Sequence, residues 1–160
     1  MTPLVTAWSY SRYADYDQCP AKFKYKHLDR IPEPGSPAMQ RGNDIHKLAE
    51  DYTTGKLKKL PAELKYFKDE FAQLRKLDPM VEQAWGFKVD WSHTGRDGWF
   101  GNDVWFRAKA DVFVTYDDNT ADLIDHKTGK KYETNKHQVE LFALAGFMRL
   151  PSLEHITTRL

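Results

Sequence analysis

The sequence predicts an α/β domain, and three observations carry that prediction. Apolar residues recur at helical spacing through much of the first half of the chain, strand-like alternation dominates from Trp85 to Lys127, and a last helix-period stretch runs from about Glu133 to Leu150. At 160 residues the chain is one domain's worth. It divides into an N-terminal helical part over about 1–80 and a sheet-and-helix part over about 82–160.

Ser9 to Asp17 and Ala21 to Leu28 read as short helices broken by Pro20, and Ile31 to Gly35 reads as a loop. Ser36-Pro37 is a helix start: a hydroxyl to cap free N–H groups, then proline where its missing N–H costs nothing. In the helix that follows, Ile45, Leu48, Ala49 and Tyr52 share a face, which sets His46 and Glu50 together one turn apart, and Gly55 ends it. Pro61 to Leu77 reads as another helix, with Leu64, Phe67, Phe71 and Leu74 inward and Lys65, Lys68 and Lys76 outward. Trp85, Phe87, Val89 and Trp91 alternate strictly; with the turn-rich Ser92 to Gly98 and a strand from Trp99 to Phe106 they predict a hairpin.

Next, Phe106, Ala108, Ala110, Val112 and Val114 form one apolar strand face and leave Arg107, Lys109 and Asp111 on the other. A turn at Asp117-Asp118-Asn119 leads to Ala121 to Lys127, where Asp125 and Lys127 point one way and Asp122, Ile124 and His126 the other. The closing helix presents Leu141, Leu144, Ala145 and Met148 as its stripe, with Gln138 on the same side, and His155 to Leu160 starts a strand.

Composition excludes several classes. Lys and Arg total 24 against 23 Asp and Glu, so the global field cannot draw in a polyanion and any nucleic-acid footprint must be local. The lone Cys19 rules out an internal disulfide and a four-cysteine iron–sulfur cluster. Nothing approaches the roughly 18 apolar residues of a membrane span, and no zinc-type spacing, phosphate-cradling glycine loop or nucleophile-elbow serine is present. The expectation is a protein of the cytoplasm, in a bacterium or a phage-infected host cell.

Two acids and a lysine converging on one sheet can hold a hard divalent cation beside a water molecule, and Asp111, Asp125 and Lys127 are such a set. The ordered motifs are Gly42-Asn43-Asp44-Ile45-His46, then Asp111, then Asp125-His126-Lys127-Thr128-Gly129-Lys130, then Gln138-Val139-Glu140-Leu141-Phe142, with Ser9 through Cys19-Pro20-Ala21-Lys22-Phe23 before them. This order resembles the PD-(D/E)XK nuclease superfamily, more closely its RecB-like and Cas4-like exonuclease branch, which bacteriophages also carry. The missing cysteine cluster departs from the Cas4-like members, and Phe142 stands where the Gln-x-x-x-Tyr motif has a tyrosine hydroxyl.

The resemblance implies a restriction-endonuclease-like core, a central mixed sheet of four or five strands flanked by helices. It implies Mg2+ or Mn2+ held by Asp111, Asp125, the His126 backbone carbonyl and His46, with Glu82 as a further candidate. Lys127 would orient or deprotonate the attacking water, and Gln138 would contact the site. Arg41, Lys130, Lys131 and Tyr10 are the candidate DNA contacts, the last by stacking. The implied activity is cleavage of DNA ends or single strands in recombination, repair or phage genome processing, with a homo-oligomer or a recombination or replication protein as partner. Family members continue past the last strand, so the chain reads as a minimal or truncated form. A non-cleaving nucleic-acid-binding or assembly module stays open as the rival, and so does RNA as substrate.

Overall fold

The computed structural model describes residues 5, 7–95, 98–116, 119–129 and 134–160. The chain opens with strand β1 (Trp8–Ser9) and helix α1 (Tyr10–Gln18), whose first turn is capped by Ser9 accepting from the Arg12 N–H. Pro20 begins helix α2 (Pro20–Phe23), which runs on as a π-helical turn over Lys24–Leu28. Helix α3 (Pro37–Thr53) starts as the sequence predicts, with Ser36 accepting from the Met39 N–H and Pro37 in its first turn.

The predicted Pro61 to Leu77 helix is two pieces, a 3-10 segment (Ala62–Phe67) and helix α4 (Lys68–Lys76). Phe67 sits at the joint with φ −113 and ψ 23, which breaks the helical phase, so it is 58% exposed while Leu64, Phe71 and Leu74 are buried. Here the inward assignment of Phe67 is corrected.

Strand β2 (Met80–Phe87) begins before the predicted alternation and stops inside it. Val89 and Trp91 lie in the turn that follows, with Trp91 at φ 64, and Trp99 lies in a 3-10 turn (Gly98–Phe100). The hairpin partner of β2 is therefore strand β3 (Phe106–Thr115), paired antiparallel from Met80↔Phe113 to Phe87↔Phe106. Strand β4 (Thr120–Ile124) pairs antiparallel with β3, helix α5 (Thr134–Arg149) crosses back, and strand β5 (His155–Arg159) lies parallel to β4. A helix between parallel neighbours satisfies the crossover such strands need. The result is a five-stranded mixed sheet in the order β1-β3-β4-β5, with β2 on β3.

Both faces of the sheet are covered. On one, α5 packs Val139, Phe142 and Ala145 on Trp85, Phe87, Phe106, Phe113 and Leu123; on the other, Ala49 of α3 and Phe71 and Leu74 of α4 pack on Val112, Val114 and Ile124. The single apolar face expected for β3 is thus corrected: Phe106, Ala108 and Ala110 belong to the α5 side and Val112 and Val114 to the α3/α4 side. The alternation slips at Asp111, opposite Glu82, whose φ of 54 interrupts β2. The α5 stripe is corrected too, because Leu144 and Met148 are exposed. From Val139 to Met148 that helix is apolar on most of its sides, and the small Ala145 and Gly146 choose the buried face by letting it approach Phe113 and Ile156. No described helix is long and apolar enough to cross a membrane.

Candidate metal centre and active site

The site forms where two ladders stop making rungs. Val112↔Ile124 is the last pair of β3 with β4 before β4 leaves to follow β5, its Asp125 N–H donating to the Arg159 carbonyl. Asp111 and Asp125 would have been the next rung. On the other edge of β3, the β2 ladder skips Glu82 and Asp111 between Val81↔Val112 and Gln83↔Ala110. Three acids meet at one splayed point of the sheet.

Helix α3 closes that point from above. A Cβ on Gly42 would stand 3.3 Å from Thr128 Oγ1, so the bare backbone lets the helix approach the segment after β4. One turn later His46 Nδ1 comes 3.4 Å from Asp111 Oδ2. This is the physical content of the Gly-x-x-x-His spacing.

Ligand atoms of His46, Glu82 and Asp111 all lie within 4.8 Å of one another. A cleft of about 390 Å³ opens onto them, lined further by Asn43, Lys47, Glu50 and Lys109, the last ion-paired with Glu82. Burial first, then the neighbouring Asp125, pushes the Asp111 carboxyl up to about 6, against the pull of His46 and of the His126 N–H, which donates to Asp111 Oδ2 at 2.8 Å. Two carboxylates and an imidazole whose donor atoms converge suit a divalent cation, which would compete with Lys109 for Glu82. The residues present therefore fit the metal that the chemistry requires.

Asp125 stands outside this trio and is 3% exposed. Lys127 Nζ lies 2.5 Å from its Oδ2, an ion pair whose angles leave that buried oxygen without a hydrogen bond. Gln138 of α5 bridges the two, accepting from Lys127 Nζ at 2.9 Å and donating to Asp125 Oδ1 at 3.3 Å. The His126 ring turns away to the α4 side, 5.2 Å from Phe71, where burial drops its pKa to about 4 and its Nε2 has no partner. Asp122 is drawn off separately by Tyr116 and Arg159.

Of the candidate DNA contacts, Arg41 is exposed on α3, and Tyr10 packs partly buried against the α5-side core. Lys130 and Lys131 lie outside the described residues. Sequence reasoning passed over Asn43 and Lys47 on the cleft wall. The signal was their spacing, since residues 43, 46, 47 and 50 form a polar stripe at helical period.

The family model of the PD-(D/E)XK nuclease superfamily matches residues 7–146, a span that takes in His46, Glu82, Asp111, Asp125, Lys127 and Gln138. No curated protein matches the chain significantly, and no solved structure does. With the matched span covering most of the sequence, and with a mixed sheet whose splayed strands gather these acids and the lysine, the chain belongs to the PD-(D/E)XK nuclease superfamily, whose members are metal-dependent nucleases.

Proposed function

We propose that this protein is a Mg2+- or Mn2+-dependent deoxyribonuclease of the RecB-like branch that acts on DNA ends or single strands, in recombination, repair or phage genome processing. The observation that carries the reading is the meeting of the His46, Glu82 and Asp111 donors beside the Asp125, Lys127 and Gln138 network. Asp111, Glu82 and His46 would hold the ion, with Asp125 and the His126 carbonyl completing its surroundings. When bound, the ion supplies charge neutralisation at the scissile phosphate and help for the attacking water and leaving oxygen.

The chain's own groups supply orientation and charge. Lys127 directs the attacking water and offsets charge developing on the phosphate. Gln138 holds the Lys127 amine by its carbonyl oxygen and Asp125 by its amide, so that neither side chain swings out of line. Hydrolysis breaks a phosphorus–oxygen bond, and the proton lost by water ends on the leaving oxygen.

The test is a magnesium-supplemented incubation with linear and circular, single- and double-stranded DNA, run beside Lys127→Ala and Asp111→Asn. Wild type cleaves and both variants do not. Identical behaviour of all three favours the rival, a non-cleaving nucleic-acid-binding or assembly module, for which the standing engagement of Asp125 by Lys127 is the supporting observation. Substituting RNA in the same assay decides the substrate.

A further inference from the structure

A second built feature lies on β3 beyond the metal cleft. Arg107 shares its strand face with Lys109, while Phe106, Ala108 and Ala110, which alternate with them, go to the α5-side core. Across the ladder from Arg107 stands Gly86. A Cβ on Gly86 would lie 2.6 Å from Thr94 Oγ1 and 2.9 Å from the Gly98 carbonyl oxygen, so the segment after β2 folds down onto bare backbone. It is pinned there because both the N–H and the hydroxyl of Thr94 donate to the Gly86 carbonyl at 2.9 Å.

This fold-over delivers two aromatic rings to one guanidinium. The Arg107 guanidinium carbon is 5.6 Å from the Trp99 ring centre and 5.4 Å from that of Phe100. Arg107 Nε is buried and has no hydrogen-bond partner, and the charge acting on the group is that of Arg12, of the same sign. Phe100 is nevertheless 82% exposed, braced edge-on by Trp99 at 6.5 Å. A phenyl ring held out in water gains nothing from burial. Two like charges repel, and among the described residues no acid is paired with Arg107. An anion with a flat apolar group attached would suit both the guanidinium and the exposed ring.

We propose that Phe100, Trp99 and Arg107 form a stacking platform for an unpaired nucleotide, with the base on Phe100 and its phosphate against Arg107 and Arg12. The inference rests on the nuclease reading only for where the strand is cut. Arg107 and Asp111 are four residues apart on one strand, roughly 13 Å at about 3.3 Å per residue. That is no more than about four stacked nucleotides at roughly 3.4 Å each. The platform thus takes the part of a single strand adjoining the scissile bond, and it selects unpaired over duplex nucleic acid because only a free base exposes its face to a ring.

Binding of a short fluorescent oligothymidylate, its uridylate counterpart and an abasic oligomer of equal length is measured by anisotropy in EDTA, for wild type, Phe100→Ala and Phe100→Tyr. Phe100→Ala weakens the oligothymidylate about tenfold and leaves the abasic oligomer unchanged, while Phe100→Tyr binds like wild type. The uridylate arm tells RNA from DNA as the source of the unpaired base. Equal affinity of wild type and Phe100→Ala overturns the proposal, as does an equal loss on the abasic oligomer or failure of wild type to bind a single strand. Because no metal is present, the outcome stands apart from the cleavage assay: a protein that fails to cut but shows the base-dependent loss keeps the platform and loses the nuclease reading.

Discussion

Two carboxylates in this molecule, the buried Asp15 and the half-buried Asp111, sit in opposite company. Asp15 of α1 is 8% exposed and is met by His27 at 2.8 Å, Lys26 at 3.0 Å and Lys22 at 3.3 Å. Burial alone would push its carboxyl up, but hydrogen bonds from His27, Lys26 and Lys22 override this and hold it at about 2. At Asp111, burial and then the neighbouring Asp125 push the carboxyl up to about 6, and His46 at 3.4 Å and the His126 N–H offset this only in part. The same side chain is fully countered in one place and only partly in the other. The first ties α1 to the helical turns after it; the second keeps room for a cation beside His46 and Glu82. Charge left only partly compensated marks a site, and charge fully compensated marks a joint.

The largest effect that would break this comparison is on cleavage. Asp111→Asn or Lys127→Ala is expected to lower magnesium-dependent DNA cleavage by roughly 10²–10⁴-fold, whereas Asp15→Ala leaves the rate per folded molecule near that of wild type. Single-turnover assays on both sets compare them directly.

Stability should move the other way. Asp15→Ala strands three basic groups and is expected to cost roughly 2–3 kcal/mol in urea denaturation, a figure held down by the half-exposed lysines. In the metal-free protein Asp111→Asn should instead stabilise at pH 7, by roughly 1–3 kcal/mol, because the amide does not carry the buried negative charge. Added Mn2+ raises the melting temperature of wild type and not of Asp111→Asn.

The pH dependence sharpens the contrast through its sign. The Asp15 contribution is fully present above about 3.8 and is lost as pH falls through about 2. Asp111 binds its proton more tightly in the fold than in the unfolded chain, so metal-free stability declines as pH rises from about 3.8 through about 6. Thermal melts across this range should show the second decline vanish in Asp111→Asn and the acid-side loss shrink in Asp15→Asn. A monotonic curve unaffected by either substitution would remove the distinction.

The smallest effect isolates position from charge. Gly42→Ala improves helix propensity by roughly 1 kcal/mol, yet its methyl would press on Thr128 and shift α3 by a few tenths of an ångström. Stability is expected to hold or rise slightly while cleavage drops a few-fold. Loss of stability without loss of cleavage would show that His46 is not placed by this contact.

How much of this was legible in the residues depended on the range of the interactions involved. The Ser36-Pro37 start of α3, the Ser9 start of α1 and the last strand at His155 rest on local chemistry, and the sequence reading finds them. The extent of β2, the break at Phe67 and the buried face of α5 rest on partners distant in the chain, and there the periodic pattern misleads. The site divides in the same way. The order of Gly42, His46, Asp111, Asp125, Lys127 and Gln138 was readable, but neighbour parity could not foresee Glu82 joining His46 and Asp111 while Asp125 turns to Lys127 and Gln138.

The amino-acid order by itself therefore determined the chemical inventory: which acids, which lysine, which helix starts, and an α/β class set by the periods of its apolar residues. Only the tertiary structure decided which of those acids share one space. That choice depends on where β4 parts from β3, on the slip of the β3 faces at Asp111 and on the approach of α3 allowed at Gly42. The reason is physical: periodicity reports a residue's side of its own element, whereas a cluster of charges is fixed by where several elements stop pairing.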